Sequence, residues 1–178
     1  LAAQNIDGVT IHSAFRLTVQ KKKGPWTYEK LSHEAEKDLY AAIGNAKLII
    51  LDEISMVSNT MLQFIHQRLT SLMGKDDAQG SVFGGMNMVV LGDLLQLPPV
   101  KAPYCFEAIK SKDYRTMMRG AVGIHQPAHL WLSFQYAELT ENMRQKGDRR
   151  YADLLNQLRI GDTGGDMDLL KSRLMEDQ

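Results

Sequence analysis

Residues 47–52 read Lys47-Leu-Ile-Ile-Leu-Asp52, and a similar run recurs as Met88-Val-Val-Leu-Gly-Asp93. Neither run alternates apolar with polar positions, and each ends in a carboxylate. Strands buried on both faces read this way, as they do in parallel sheets covered by helices. Between the runs, Met61, Leu62, Ile65, Leu69, Leu72 and Met73 recur at three- and four-residue spacing, the stripe of an amphipathic helix. Small polar residues from Ser58 to Thr60 offer acceptors to the free N–H groups of its first turn, and Gly74 tolerates the positive φ that ends it.

Outward from this centre, Leu31, Ala35, Leu39, Ala42 and Ile43 form a second stripe that stops at Gly44-Asn45. The order is helix, strand, helix, strand. Phe134 to Thr140, with Tyr136, Ala137 and Leu139 among polar residues, reads as a third extended segment. A last helix carries Tyr151, Leu154, Leu155 and Leu158, capped by Asp148 and closed by Gly161. The alternation predicts an α/β fold with an open, mostly parallel sheet and helices on both faces. Residues 101–133 are less regular, and residues 162–178 read as a polar, weakly helical tail around Leu169, Leu170 and Leu174. No internal repeat is present.

The chain has 178 residues, 44% hydrophobic and 24% charged, which leaves room for one core and little more. Lys and Arg number 21 against 21 Asp and Glu, so a polyanion would have to be held by local patches rather than by net charge. A single cysteine, Cys105, excludes an internal disulfide framework and points to a reducing compartment. The apolar runs fall far short of the ~20 residues that span a bilayer. The start, Leu1-Ala2-Ala3-Gln4, has neither an initiator Met nor the pattern of a secretory signal, and reads as a chain cut from something longer.

Ligands of open parallel sheets bind beyond the carboxyl ends of the strands, which is where Asp52-Glu53 and Gly92-Asp93 fall. An acidic pair in that place suits nucleotide hydrolysis. The first carboxylate can hold magnesium through its water shell, and the second can orient and deprotonate the attacking water. A solvated Asp-Glu turn is the plainer alternative. Pro98 and Pro99 forbid continuation of a central strand, so Gln96 falls on a loop just past the strand end, either to sense a γ-phosphate or as an ordinary turn residue. Arg144 comes after the third extended segment, with Lys146, Arg149 and Arg150 close behind. Such a cluster is either a phosphate clamp or a solvated helix start.

Four blocks in order resemble the Pif (petite integration frequency) family of DNA helicases, within superfamily one and near the RecD-like enzymes. They are Ala2-Ala-Gln-Asn-Ile-Asp-Gly-Val-Thr-Ile-His-Ser-Ala-Phe15, Leu48-Ile-Ile-Leu-Asp-Glu-Ile-Ser-Met-Val57, Val90-Leu-Gly-Asp-Leu-Leu-Gln-Leu-Pro-Pro-Val100 and Glu138-Leu-Thr-Glu-Asn-Met-Arg-Gln145. Phe83-Gly84-Gly85 and Leu154-Leu-Asn-Gln-Leu-Arg-Ile-Gly161 also look like that family. The resemblance implies a RecA-like P-loop NTPase fold, with residues 1–161 as part of the first motor domain and residues 162–178 as a tail toward the helicase's further domains. It implies ATP and magnesium as cofactors, with Asp52 as the magnesium carboxylate, Glu53 as general base, Gln96 as γ-phosphate sensor and Arg144 as the arginine that approaches the nucleotide. It places DNA contacts at Gly8, Thr10, His12 and Ser13, with single-stranded DNA and a duplex or fork as partners. Family members move 5′ to 3′ and act in genome maintenance, including repair, recombination and telomere maintenance, in the nucleus and also the mitochondrion. The first block resembles helicases of rolling-circle transposons as well.

Read from the residues alone, Gly8 permits close backbone approach, and Thr10, His12 and Ser13 offer hydroxyl and imidazole contacts to phosphate. His12 as a simple helix cap is the alternative. Phe15, Trp26 and Tyr28 either stack on bases or fill the core. Lys21-Lys22-Lys23 is a DNA contact or a solvated run, and the His125, His129 spacing lacks the further ligands zinc needs. The phosphate-cradling pattern G-x-x-x-x-G-K-[ST] is absent, since Gly74-Lys75 is followed by Asp76. By the resemblance, that loop lies just upstream of Ala2 and a second motor domain comes after Gln178. The expectation is a fragment of an ATP-dependent DNA helicase that is inactive by itself. A non-catalytic DNA-binding remnant and a magnesium phosphohydrolase using Asp52 and Asp93 stand as alternatives.

Overall fold

The structure, a computed structural model, describes residues 7–19, 24–74, 81–119, 129–164 and 167–172. Lys21 to Lys23, His125 and Leu174 lie outside them. The chain divides into two compact units, Leu1–Phe134 and Gln135–Gln178.

In the first unit a short helix α1 (Ile11–Ala14) precedes α2 (His33–Ile43), which the Ser32 hydroxyl caps by accepting from the Ala35 N–H. Strand β1 (Ile49–Leu51) then leads through a 3₁₀ turn at Ile54–Met56 into α3 (Asn59–Met73), and β2 (Met88–Val90) returns beside β1. The strands are parallel, with Ile49, Ile50 and Leu51 opposite Met88, Val89 and Val90. Parallel neighbours need a crossover, which α3 supplies. As the sequence predicts, α3 begins at a Ser58 cap whose hydroxyl accepts from the Met61 N–H, and ends at Gly74.

The strands do differ from the expectation of burial on both faces. Leu51 is buried at 4% exposure, whereas Ile50 is 54% and Val89 40% exposed. Side chains alternate across a strand, so the residues packed around Leu51 cover one side of the pair and leave the other accessible.

Helix α3 is enclosed along most of its length, every residue from Leu62 to Thr70 being buried. It packs against the turn that delivers β2, where Phe83, Gly84 and Gly85 all have positive φ. A β-carbon on Gly84 would stand 2.5 Å from the Leu69 carbonyl oxygen, so only glycine lets this turn lie on the helix. The Phe83 N–H donates to Nδ1 of the buried His66 at 2.9 Å. Downstream, α4 (Ser111–Met117) adds Tyr114 and Met117 to the core.

In the second unit, α5 (Arg149–Arg159) is capped by Asp148, whose carboxylate accepts from the Tyr151 N–H at 3.0 Å, and Gly161 lies just past its end with φ 81°. A short α6 (Met167–Lys171) lies in the predicted weakly helical tail. The third extended segment does not form a strand. Residues 135–140 carry no regular structure, with Tyr136 83% and Leu139 92% exposed. Its apolar residues are too sparse and too polar in company to bury a face.

Candidate functional site

The carboxyl ends of β1 and β2 meet through backbone. At Glu53 the chain turns out of the strand direction with φ 56° and ψ 47°, a left-handed conformation that costs a residue with a side chain roughly 1–2 kcal/mol. Asp52 Oδ1 accepts from the Glu53 N–H at 2.9 Å, and the Ile54 N–H donates to the Leu91 carbonyl at 2.9 Å, which fixes the kink from both sides. Both carboxylates are left exposed. Gly92, with φ 148°, lies directly against this kink: a β-carbon there would be 2.8 Å from the Ile54 nitrogen and 3.4 Å from the Glu53 carbonyl carbon.

Beyond Gly92, Asp93 organises the exit from β2. Its Oδ1 accepts from the Leu95 N–H at 3.0 Å and its carbonyl from the Gln96 N–H at 2.9 Å. This local turn carries an exposed Gln96 ahead of the two prolines. The structure therefore brings Asp52, Glu53 and the Gly92–Asp93 step to adjacent strand ends, with Gln96 on the turn that leaves them.

The Gly8–Ser13 block forms a separate turn of the same unit. Thr10 caps α1, its Oγ1 accepting from the Ser13 N–H at 3.3 Å, so the capping role belongs to Thr10 and not to His12. Thr10 and Ser13 are exposed, while Gly8 and His12 are half-buried. The His12 ring stacks on Trp26 with centroids 6.0 Å apart, and Trp26 meets Phe64 of α3 edge-on at 5.0 Å. Phe15 and Tyr28 are buried core residues, 3% and 4% exposed.

Arg144 belongs to the second unit. It is exposed in a turn that the Asn142 side chain starts by accepting from the Gln145 N–H at 3.1 Å, just ahead of α5. Two residues bearing on these sites escape sequence reasoning. Gly92 is legible only as a residue between an apolar run and an aspartate. Arg68, buried in α3 and bonded to the Phe15 carbonyl, looks in sequence like any polar position of an amphipathic helix.

As a donor set, Asp52 and Glu53 suit a hard cation held by one or two carboxylates, water and phosphate oxygens, and do not amount to a closed protein cage. Among the described residues no group of three or more His, Cys, Asp or Glu is placed to hold a metal. No described helix is long and apolar enough to cross a membrane.

Comparison with known proteins bears on the whole chain. The ATP-dependent DNA helicase RRM3 of Saccharomyces cerevisiae is 31% identical over 169 residues, an alignment covering 91% of this chain and 20% of RRM3. Among solved structures, Bacteroides Pif1 bound to single-stranded DNA matches with a TM-score of 0.68 at 30% identity, over 99% of this chain and 38% of that one. Bacteroides Pif1 in complex with ADP-AlF3 and single-stranded DNA matches with a TM-score of 0.64 at 29% identity, again over 99% of this chain and covering 39% of that one. The chain thus spans about a fifth of the length of the curated relative. The α/β fold expected from the alternation of elements is the fold of these neighbours. A family model described as PIF1-like helicase matches residues 1–166, and with the strand-end carboxylates and the four ordered blocks it establishes that this chain belongs to the PIF1-like helicase family.

Proposed function

We propose that this chain is part of the first RecA-like motor domain, residues 1–161, of an ATP-dependent DNA helicase that moves 5′ to 3′ on single-stranded DNA and opens duplexes or forks in genome maintenance. The observation that carries the reading is the meeting of the two strand ends at Glu53 and Gly92. It sets two consecutive carboxylates at the sheet rim where nucleotides bind in open α/β folds. Relatives named ATP-dependent DNA helicases, and a neighbour solved with ADP-AlF3 and single-stranded DNA, support it.

In this reading Asp52 holds magnesium through water, and Glu53 accepts a proton from the water that attacks the γ-phosphate. Gln96 engages that phosphate by its amide, and Arg144 approaches the nucleotide with its guanidinium. Magnesium, when bound, supplies charge neutralisation on the transferring phosphate. Thr10, His12 and Ser13 contact the phosphates of single-stranded DNA, with Gly8 allowing close backbone approach. Positioning and electrostatics make up most of phosphoryl-transfer catalysis. Carboxylates without a Gly-Lys-Ser/Thr cradle therefore leave residues 1–178 inactive when isolated. Nuclear location, with a mitochondrial share, belongs to the same proposal.

The test is ATP hydrolysis by the full-length protein that carries this sequence, with and without oligo-dT. DNA-stimulated turnover that Glu53→Gln removes while ATP binding persists is the expected result. DNA binding without turnover would favour the non-catalytic remnant. Turnover indifferent to DNA would favour a phosphohydrolase.

A further inference from the structure

Helix α3 carries a cation that the proposed chemistry at Asp52 and Glu53 does not use. Arg68 is 2% exposed. Its Nε donates to the Phe15 carbonyl at 3.1 Å and its Nη2 to the Glu29 carbonyl at 2.9 Å. The guanidinium lies over the Tyr28 ring, 4.8 Å from its centroid. A buried cation held by main-chain carbonyls and a ring, with Nη1 left without a hydrogen-bond partner, is an expensive way to fill space that a leucine could occupy.

What Arg68 holds gives the reason. Phe15 closes α1, the turn that carries Thr10, His12 and Ser13. One helical turn earlier on α3, Phe64 supports Trp26, and Trp26 supports His12. Residues four apart lie on the same side of a helix. That side of α3 therefore grips the α1 turn at two points, His12 through the ring stack and Phe15 through the guanidinium. The same helix starts at Ser58, one 3₁₀ turn after Glu53.

We propose that Arg68 is a positioning residue for single-stranded DNA: by tying the Phe15 and Glu29 carbonyls to α3 it holds the Gly8–Ser13 turn in its DNA-contacting shape and makes α3 the rigid link from that turn to the Asp52–Glu53 carboxylates. The inference rests on the helicase reading above. Arg68 is too buried to touch DNA, and it acts by pre-organising a surface that would otherwise have to be ordered on binding.

The test uses the full-length protein, with oligo-dT affinity read by fluorescence anisotropy and ATP affinity read separately with a fluorescent analogue. Lysine keeps the charge but lacks the planar fork that reaches two carbonyls. Arg68→Lys is expected to weaken oligo-dT binding about tenfold, as the loss of one charge-assisted hydrogen bond does, with ATP affinity unchanged. Unchanged oligo-dT affinity overturns the inference, and so does equal weakening of both ligands, which marks a merely structural role. Arg68→Gln, uncharged and donating from a single nitrogen in place of the guanidinium fork, gives the same readout should the lysine variant not fold. Hydrogen exchange on the unmodified protein reads the link without any substitution. Oligo-dT should slow exchange over residues 10–17 and also over residues 64–70, and protection confined to the first segment overturns it. Wild-type protein that binds neither ligand rejects the helicase reading itself, whereas wild-type binding with an indifferent Arg68→Lys rejects this inference alone.

Discussion

Gly92 lies so close to Ile54 that a β-carbon on it would stand 2.8 Å from the Ile54 amide nitrogen. The contact joins the ends of β1 and β2 and buttresses the kink at Glu53. Alanine at position 92 faces both this clash and a φ of 148° that suits glycine. Gly92→Ala is expected to destabilise the fold by about 2 kcal/mol or more, measured by urea unfolding, and to lower hydrolysis in the full-length protein. A variant of wild-type stability would mean the two strand ends are not in contact.

Glu53 sits in a left-handed conformation that glycine adopts without the penalty. Glu53→Gly should therefore raise stability, by up to about 1 kcal/mol after the entropy glycine adds to the unfolded chain is set against the relief. Hydrolysis by the full-length protein should vanish, the outcome also expected of Glu53→Gln. Opposite changes in melting temperature and turnover would mark a residue strained for chemistry, and a lower melting temperature would contradict the kink.

The Nδ1 of His66 accepts from the Phe83 N–H, and Phe83 itself has φ 54°. His66→Leu fills similar space but leaves that buried N–H without its acceptor. A loss of about 1–3 kcal/mol is expected, read from the shift in the urea midpoint. No shift would show that the Phe83 turn stands without the imidazole.

Burial pushes the Cys105 thiol up to about 11 from its ordinary value of 9.0. A pKa raised in the folded state means the native thiol keeps its proton where the unfolded one has lost it. This contribution to stability is fully present below pH 9 and is lost as pH rises toward 11. Thiol labelling at pH 8 should accordingly be slow in the native protein and fast in urea, and Cys105→Ser should flatten the alkaline fall in stability. Rapid native labelling would show the thiol to be accessible.

Much of this architecture was legible because its signals are local. The Ser58 cap, the three- and four-residue spacing from Met61 and the Gly74 stop define α3, and Asp148 with Gly161 bounds α5 in the same way. The carboxylates at 52 and 53 could be placed because an apolar run ends where a strand must. What was not legible depends on partners distant in sequence. An unbroken apolar run cannot tell which of its faces is covered, so Ile50 and Val89 read as buried. A short mixed run such as 134–140 cannot reveal whether a neighbouring strand exists to receive it. Left-handed Glu53 results from Leu91 and Gly92 crossing beside it, and Arg68 owes its burial to carbonyls 53 and 39 positions away.

The enclosure of α3 from Leu62 to Thr70 also governs how the molecule can be handled. A helix with no accessible side there offers nowhere for an inserted tag, a fluorophore or a split point, and trypsin has no approach to Arg68 while the helix persists. Engineering is better directed to the boundary between Phe134 and Gln135, where one compact unit gives way to the next.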